Sequence, residues 1–165
     1  PSQRDRHSLS PTDIVAVRGE TCEAGKMPSR AAPAHRAIYR RHPDVQAILF
    51  AHPVHATAFS VTDQPLDART IPESYIVLRE VEKLEYGIPY RDVAQLAERV
   101  SMSRPASLLA NDGCLVLGSS PLDAFDRLEV LEATAEASIR TRAIGRLHAM
   151  PDHVIADLDR AFGFA

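Results

Sequence analysis

Tryptophan is absent, and aromatic residues make up only 5% of the chain. A surface built to stack on sugar rings or bases is therefore not expected, because such surfaces use aromatic faces. There are two cysteines, Cys22 and Cys114, far apart in the sequence. They form no Cys-x-x-Cys and read as reduced thiols of a cytoplasmic protein. No apolar run of about 18 or more residues occurs, so no transmembrane span is expected. No charged-then-apolar leader opens the chain, so no signal peptide is visible. No basic stripe stands out. The 19 Lys and Arg are interleaved with 22 Asp and Glu for a net charge of −3. Nucleic acid is not an expected partner. There is no internal repeat, no glycine-rich nucleotide loop and no Ser-His-Asp arrangement with a familiar local sequence.

What is present suits one globular domain. A length of 165 residues, with 45% hydrophobic and 25% charged, allows a core without disulfides or metals. Residues 1–11 are polar and rich in turn formers, and read as a loop. Residues 13–17 read as a short strand stopped at Gly19. Pro33 opens a helix through about Arg41. The apolar run at 45–51 reads as a central buried strand, followed by a helix at 54–61. Residues 71–81 fit helix or strand equally. Asp92, with Gln95 three residues on, caps a helix. Residues 107–111 and 114–118 read as two strands around an Asp-Gly turn. Ser120-Pro121-x-Asp123 is a strong helix start. That helix runs to about Ile144 with Phe125, Leu128, Leu131, Ala135 and Ile139 as its apolar stripe. A last amphipathic helix is expected at 151–162. Strands alternating with helices indicate a layered α/β domain, and the Asp-Gly hairpin indicates a sheet that is not all parallel.

Four ordered stretches carry a resemblance. They are Pro28-Ser29 with His35-x-x-Ile38-Tyr39; His42-Pro43-Asp44-Val45-x-Ala47 leading to His52 and Ala56-Thr57-Ala58; Ile88-Pro89-Tyr90 before Leu96-Ala97-Glu98; and Leu108-Leu109-x-Asn111-x-Gly113 with Gly118, Ala124-Phe125 and Glu132-x-x-Ala135. No single motif is specific, but the ordered set resembles the class II aldolase/adducin family over about residues 9–144. The resemblance implies a three-layer α/β/α domain with a mixed, largely antiparallel central sheet. It implies assembly as a homo-oligomer, up to a tetramer, and a metal-dependent lyase that cleaves a small sugar phosphate or related hydroxy-carbonyl compound. The family's N-terminal part, with a Gly-Asn phosphate loop, has no counterpart here, so the chain is expected to lack its N-terminal portion. Ile71-Pro72-Glu73-Ser74 and Asp126-Arg127-Leu128-Glu129-Val130 look like a branch in which such domains occur in tandem. A neighbouring aldolase-like domain is therefore a possible partner.

A class II aldolase uses a divalent metal, zinc first among the candidates, to polarise a carbonyl. In the family three histidines hold it, from a His-x-His at a strand end and an Asn-His-Gly turn. Here those positions are Phe50, His52 and Asp112. A carboxylate can replace imidazole, whereas Phe50 has no donor. His55, three residues after His52, is the replacement donor, giving an expected set of His52, His55 and Asp112. The bland alternative is a hydrogen-bonded relic at His52, a helix N-terminal His55 and a plain turn residue at Asp112. The family's acid/base glutamate falls on Ala31. Glu73 is the nearest substitute and Tyr75 falls near the family's proton-donating tyrosine; the alternative is a first-turn acid and a half-buried ring. Ser29 matches a phosphate-contact position, and Arg30 would bind an anion through its fork, or is simply a solvated loop residue. His35 reads as a packing residue, and Cys114 as a buried inert thiol. The competing functional reading is a catalytically degenerate, adducin-like domain with a structural or assembly role.

Overall fold

The structure is a computed structural model and describes residues 8–164. The expected loop at 1–11 therefore lies largely outside the described residues. Pro11–Asp13 forms a 3-10 turn with Ser10 and Asp13 closing a capping box. The strand expected at 13–17 is thus shorter and later. Strand β1 (Val17–Arg18) pairs antiparallel with β2 (Thr21–Cys22) as a separate small sheet. Gly19, with φ +57, makes the turn between them.

The main sheet has four strands in the order β3 (Ala47–Ala51), β6 (Gly113–Gly118), β5 (Ala106–Leu109), β4 (Glu82–Leu84). β3 and β5 flank β6 antiparallel, and β4 pairs with β5 in parallel. The sheet is mixed and largely antiparallel, as the resemblance implies. All six residues of β6 are buried, as expected for a strand covered on both faces. β4 escapes a pattern reading because three residues, two of them Glu82 and Lys83, carry no alternation.

Alternation along the strands divides the core. Ile48, Leu115 and Leu117 face one side, where they meet Ala34 and Ile38 of α1 (Ala32–Arg41), Ile88 of α4 (Ile88–Arg91), and Leu96 and Ala97 of α5 (Val93–Arg99). Cys114 and Val116 face the other side. There they meet Ala56 and Phe59 of α2 (Val54–Ser60), Leu78 of α3 (Pro72–Leu78), and Leu131 and Ala135 of α6 (Pro121–Ile144). Two helical layers thus enclose one sheet.

The caps behave as their chemistry requires. The Asp92 side chain accepts from the Gln95 amide, and the Ser120 side chain accepts from the Asp123 amide. The stripe of α6 differs from expectation at its edges. Ala124, Leu131, Thr134, Ala135 and Ser138 are buried, while Phe125 stays 49% exposed. Part of that face packs on another helix rather than the sheet: the Thr134 and Ser74 hydroxyls meet at 2.7 Å between α6 and the 71–81 segment. The undecided 71–81 segment is helix where Pro72 supplies the first turn, as α3. Helix α7 (Asp152–Phe162) follows as expected. Among the described residues, no helix is long and apolar enough to cross a membrane.

Candidate functional site

The last β3–β6 pair is Ala51 with Cys114, so His52 and the turn before Gly113 emerge together at one end of the sheet. Asn111 adopts φ +54 in that turn, a conformation Asn tolerates better than most residues. The Asp112 amide closes the turn on the Leu109 carbonyl at 3.0 Å. Gly113 is required by closeness: a Cβ there would stand 2.3 Å from the Ala51 carbonyl oxygen and 3.0 Å from His52 Cδ2. The turn therefore lies flush against His52, and the His52 Nε2 comes 3.0 Å from Asp112 Oδ1. The pair is open to solvent, with side chains 53% and 27% exposed. An ionised carboxylate only accepts, so in this contact the hydrogen is carried by His52 Nε2.

His55 goes elsewhere. It sits in the first turn of α2, whose N-cap residue, Pro53, offers no capping side chain. Glu132 of α6 supplies the cap instead. Its carboxylate accepts from the His55 amide at 2.9 and 3.1 Å, from the Ala56 amide at 2.9 Å, and meets His55 Nδ1 at 2.8 Å. Burial raises the Glu132 carboxyl, but these hydrogen bonds outweigh it and hold it below the usual carboxylate value. The structure thus brings together two of the three expected donors, His52 and Asp112, and commits the third to Glu132. Among the described residues no group of three or more His, Cys, Asp or Glu is arranged to hold a metal.

Phe50 shares the face of β3 that meets α1. Its ring stacks on His35 at 5.2 Å and 17°. His35 also meets Tyr39 edge-on at 6.5 Å, the packing role its position suggests. Burial lowers the His35 pKa, which favours neutral imidazole, and its Nε2 is buried without a hydrogen-bond partner among the described residues. Ala31 is 7% exposed at the start of α1. Its amide donates to the Ser29 hydroxyl oxygen at 3.2 Å. The Arg30 guanidinium lies 5.6 Å from the Tyr90 ring centroid, a cation–π contact, and meets no carboxylate among the described residues.

Glu73 and Tyr75 lie on α3, away from this sheet end. Glu73 lines a groove of about 1520 Å³ between α3, α6 and the C-terminal segment, and neither His52 nor Asp112 lines it. The Tyr75 hydroxyl donates to Asp159 of α7 at 2.8 Å, and Arg79 donates to the same carboxylate oxygen at 3.0 Å. Tyr75 is buried rather than half-buried, and burial, followed by the bond to Asp159, raises its pKa. Cys114 is buried with its thiol pushed up to about 12 by burial, and its Sγ donates to the Ala51 carbonyl. Glu132 was legible only as part of a motif; its role depends on a partner 77 positions away.

Comparison with known proteins agrees with this architecture. Residues 1–139 match the class II aldolase and adducin N-terminal domain. The chain is 35% identical over 142 residues to the 3-oxo-tetronate 4-phosphate decarboxylase of Haemophilus influenzae, covering 82% of this chain and 66% of that protein. It is 36% identical over 124 residues to the L-fuculose phosphate aldolase of Methanococcus vannielii, covering 74% of this chain and 66% of that one. The chain therefore spans just under two thirds of the length of these curated relatives. A solved L-fuculose 1-phosphate aldolase superposes with a TM-score of 0.81 at 25% identity, over 99% of this chain and 78% of that one. A matched domain, these relatives and the shared mixed sheet lead to one conclusion: the chain belongs to the class II aldolase and adducin N-terminal domain family.

Proposed function

We propose that this class II aldolase-like chain acts as a lyase on a small sugar phosphate or related hydroxy-carbonyl compound, received where His52 and Asp112 meet. The carrying observation is the imidazole–carboxylate pair at 3.0 Å on an open strand end. The curated relatives support the substrate class, since both are named for small phosphorylated compounds. Aldol cleavage and decarboxylation both leave an electron pair beside a carbonyl, and a positioned base or acid must move a proton. Asp112 orients the imidazole through Nε2, and Nδ1 of His52 is the atom that takes and returns the proton. Ser29 and Arg30 are read as the anion contacts, Arg30 through a fork that meets no carboxylate among the described residues. Proton transfer is assigned to His52 rather than to Glu73 or Tyr75, because the Tyr75 hydroxyl is already given to Asp159.

Class II aldolases generally depend on a divalent metal, and zinc is the ion the resemblance implies. A catalytic zinc takes three protein donors. His52 and Asp112 supply two, Phe50 supplies none, and His55 is held by Glu132. The residues present do not fit the ion, and no step of this reading passes through it. A homo-oligomer in the cytoplasm remains part of the reading, with the exposed Leu122 and Phe125 of α6 as apolar surface to be covered.

A panel of small sugar phosphates, assayed for aldehyde or carbon dioxide release, tests the proposal. Turnover of at least one member is expected, falling about 10²–10⁴-fold in His52→Ala. Neither turnover nor binding across the panel would leave the second reading, a degenerate domain with an assembly role. The Phe50–His35 stack is the observation that favours it.

A further inference from the structure

We infer that this chain has converted the metal position of its family into a metal-free imidazole–carboxylate pair backed by an aromatic stack. The inference rests on the family membership and on the donors around the sheet end, and it stands whether or not the proposed substrates are turned over.

Among the described residues no third His, Cys, Asp or Glu joins His52 and Asp112 in a group that could hold a metal. Phe50 lies on β3, two residues before His52, which follows the strand's last residue, Ala51. Phe50 offers no lone pair, and its ring is fixed against His35 at 5.2 Å and 17°. An incoming ion beside it would meet hydrocarbon, and dispersion contacts with His35 would be lost if the ring moved away. His55 cannot swing to His52 without surrendering its contact with Glu132 at 2.8 Å, and the same carboxylate caps α2 through two amides. Cys114, next to Gly113, faces the opposite core with its Sγ donating to the Ala51 carbonyl at 3.5 Å. Two donors remain, and they already satisfy one another at 3.0 Å. An ion would have to displace that hydrogen bond and still lack a third protein ligand.

The full chain, purified without a histidine tag, is incubated with excess zinc or manganese and passed through a desalting column. Metal per chain is then measured by elemental mass spectrometry. Far less than one ion per chain is expected, with no difference between the wild type and His52→Ala. About one ion per chain, lost in His52→Ala, would overturn the inference. A gain-of-function variant provides the converse: Phe50→His and Asp112→His combined, beside His52, should retain close to one zinc per chain. Circular dichroism and a thermal melt establish that this variant folds. A folded variant that takes up no more zinc than the wild type would overturn the assignment of metal loss to these side chains. Because Phe50→His gives up the stack, the wild-type measurement decides the question by itself where the combined variant does not fold. Activity separates this inference from the functional reading. Turnover that persists in EDTA supports both; turnover abolished by EDTA and restored by zinc overturns this inference and keeps the functional reading; no turnover with no bound metal overturns the functional reading alone.

Discussion

At the scale of single residues, the sheet-end site depends on a side chain that is not there. Gly113 lets the 110–112 turn lie against the Ala51 carbonyl, and this contact brings Asp112 to His52. In Gly113→Ala the new methyl would sit 2.3 Å from a backbone oxygen, which has no rotamer by which to yield. The turn must shift, and overpacking of this kind costs about 1–3 kcal/mol. Urea denaturation should show that loss, and the imidazole resonances of His52 should move in the same variant. Unchanged stability would contradict the role given to this close approach. The residue letters themselves announced the Asn-Asp-Gly turn and the His52 position. They could not announce that Phe50 would find a flat partner in His35, because stacking needs α1 laid beside β3.

At the scale of elements, the instructive feature is a helix capped by another helix. Pro53 leaves α2 without a local cap, and Glu132 from α6 supplies acceptors for the His55 and Ala56 amides. The charged cap also suits the positive end of the α2 dipole. Glu132→Gln keeps the shape but removes the charge, and should cost about 2 kcal/mol, the range of hydrogen bonds to a charged group. The sign of the pH dependence follows from the lowered Glu132 pKa. A depressed carboxyl stabilises the fold fully above its unfolded value near 4.5, and the contribution disappears as pH falls through the lower folded value. The gap between wild type and Glu132→Gln should therefore be widest near neutral pH and close in acid. Denaturation midpoints measured from neutral to acid pH would show it; a gap that widens in acid would contradict the assignment. Locally capped helices such as α5 and α6 were legible because Asp92 and Ser120 sit next to the amides they satisfy. α2 was legible by its pattern but its cap was not.

At the scale of the whole molecule, two cores share one sheet. Leu96 of α5 and Leu131 of α6 are both fully buried, on opposite faces. Leu96→Ala and Leu131→Ala should each cost about 2–5 kcal/mol as transfer energy plus cavity. Because the sheet separates them, the double variant should lose the sum to within about 0.5 kcal/mol. Chemical denaturation of the two singles and the double tests this, and a coupling well above that margin would mean that the cores communicate through β6.

The sequence by itself determined the family, the layered α/β class, the long helix from Pro121, the buried strands and the placement of His52 and Asp112 at chain turns. The family and the two site positions follow from the ordered motifs, and the elements from local chemistry: apolar period, proline at a first turn, a capping side chain within three residues. Tertiary structure alone decided which donors meet. His52 and His55 are three residues apart in sequence, yet the strand-to-helix turn sends one to Asp112 and the other to Glu132. Tyr75, a proton-donor candidate by position, becomes a tether because α7 presents Asp159 to it. In each case the deciding partner lies 60 or more positions away, and a hydrogen bond is set by distance in space rather than by spacing along the chain.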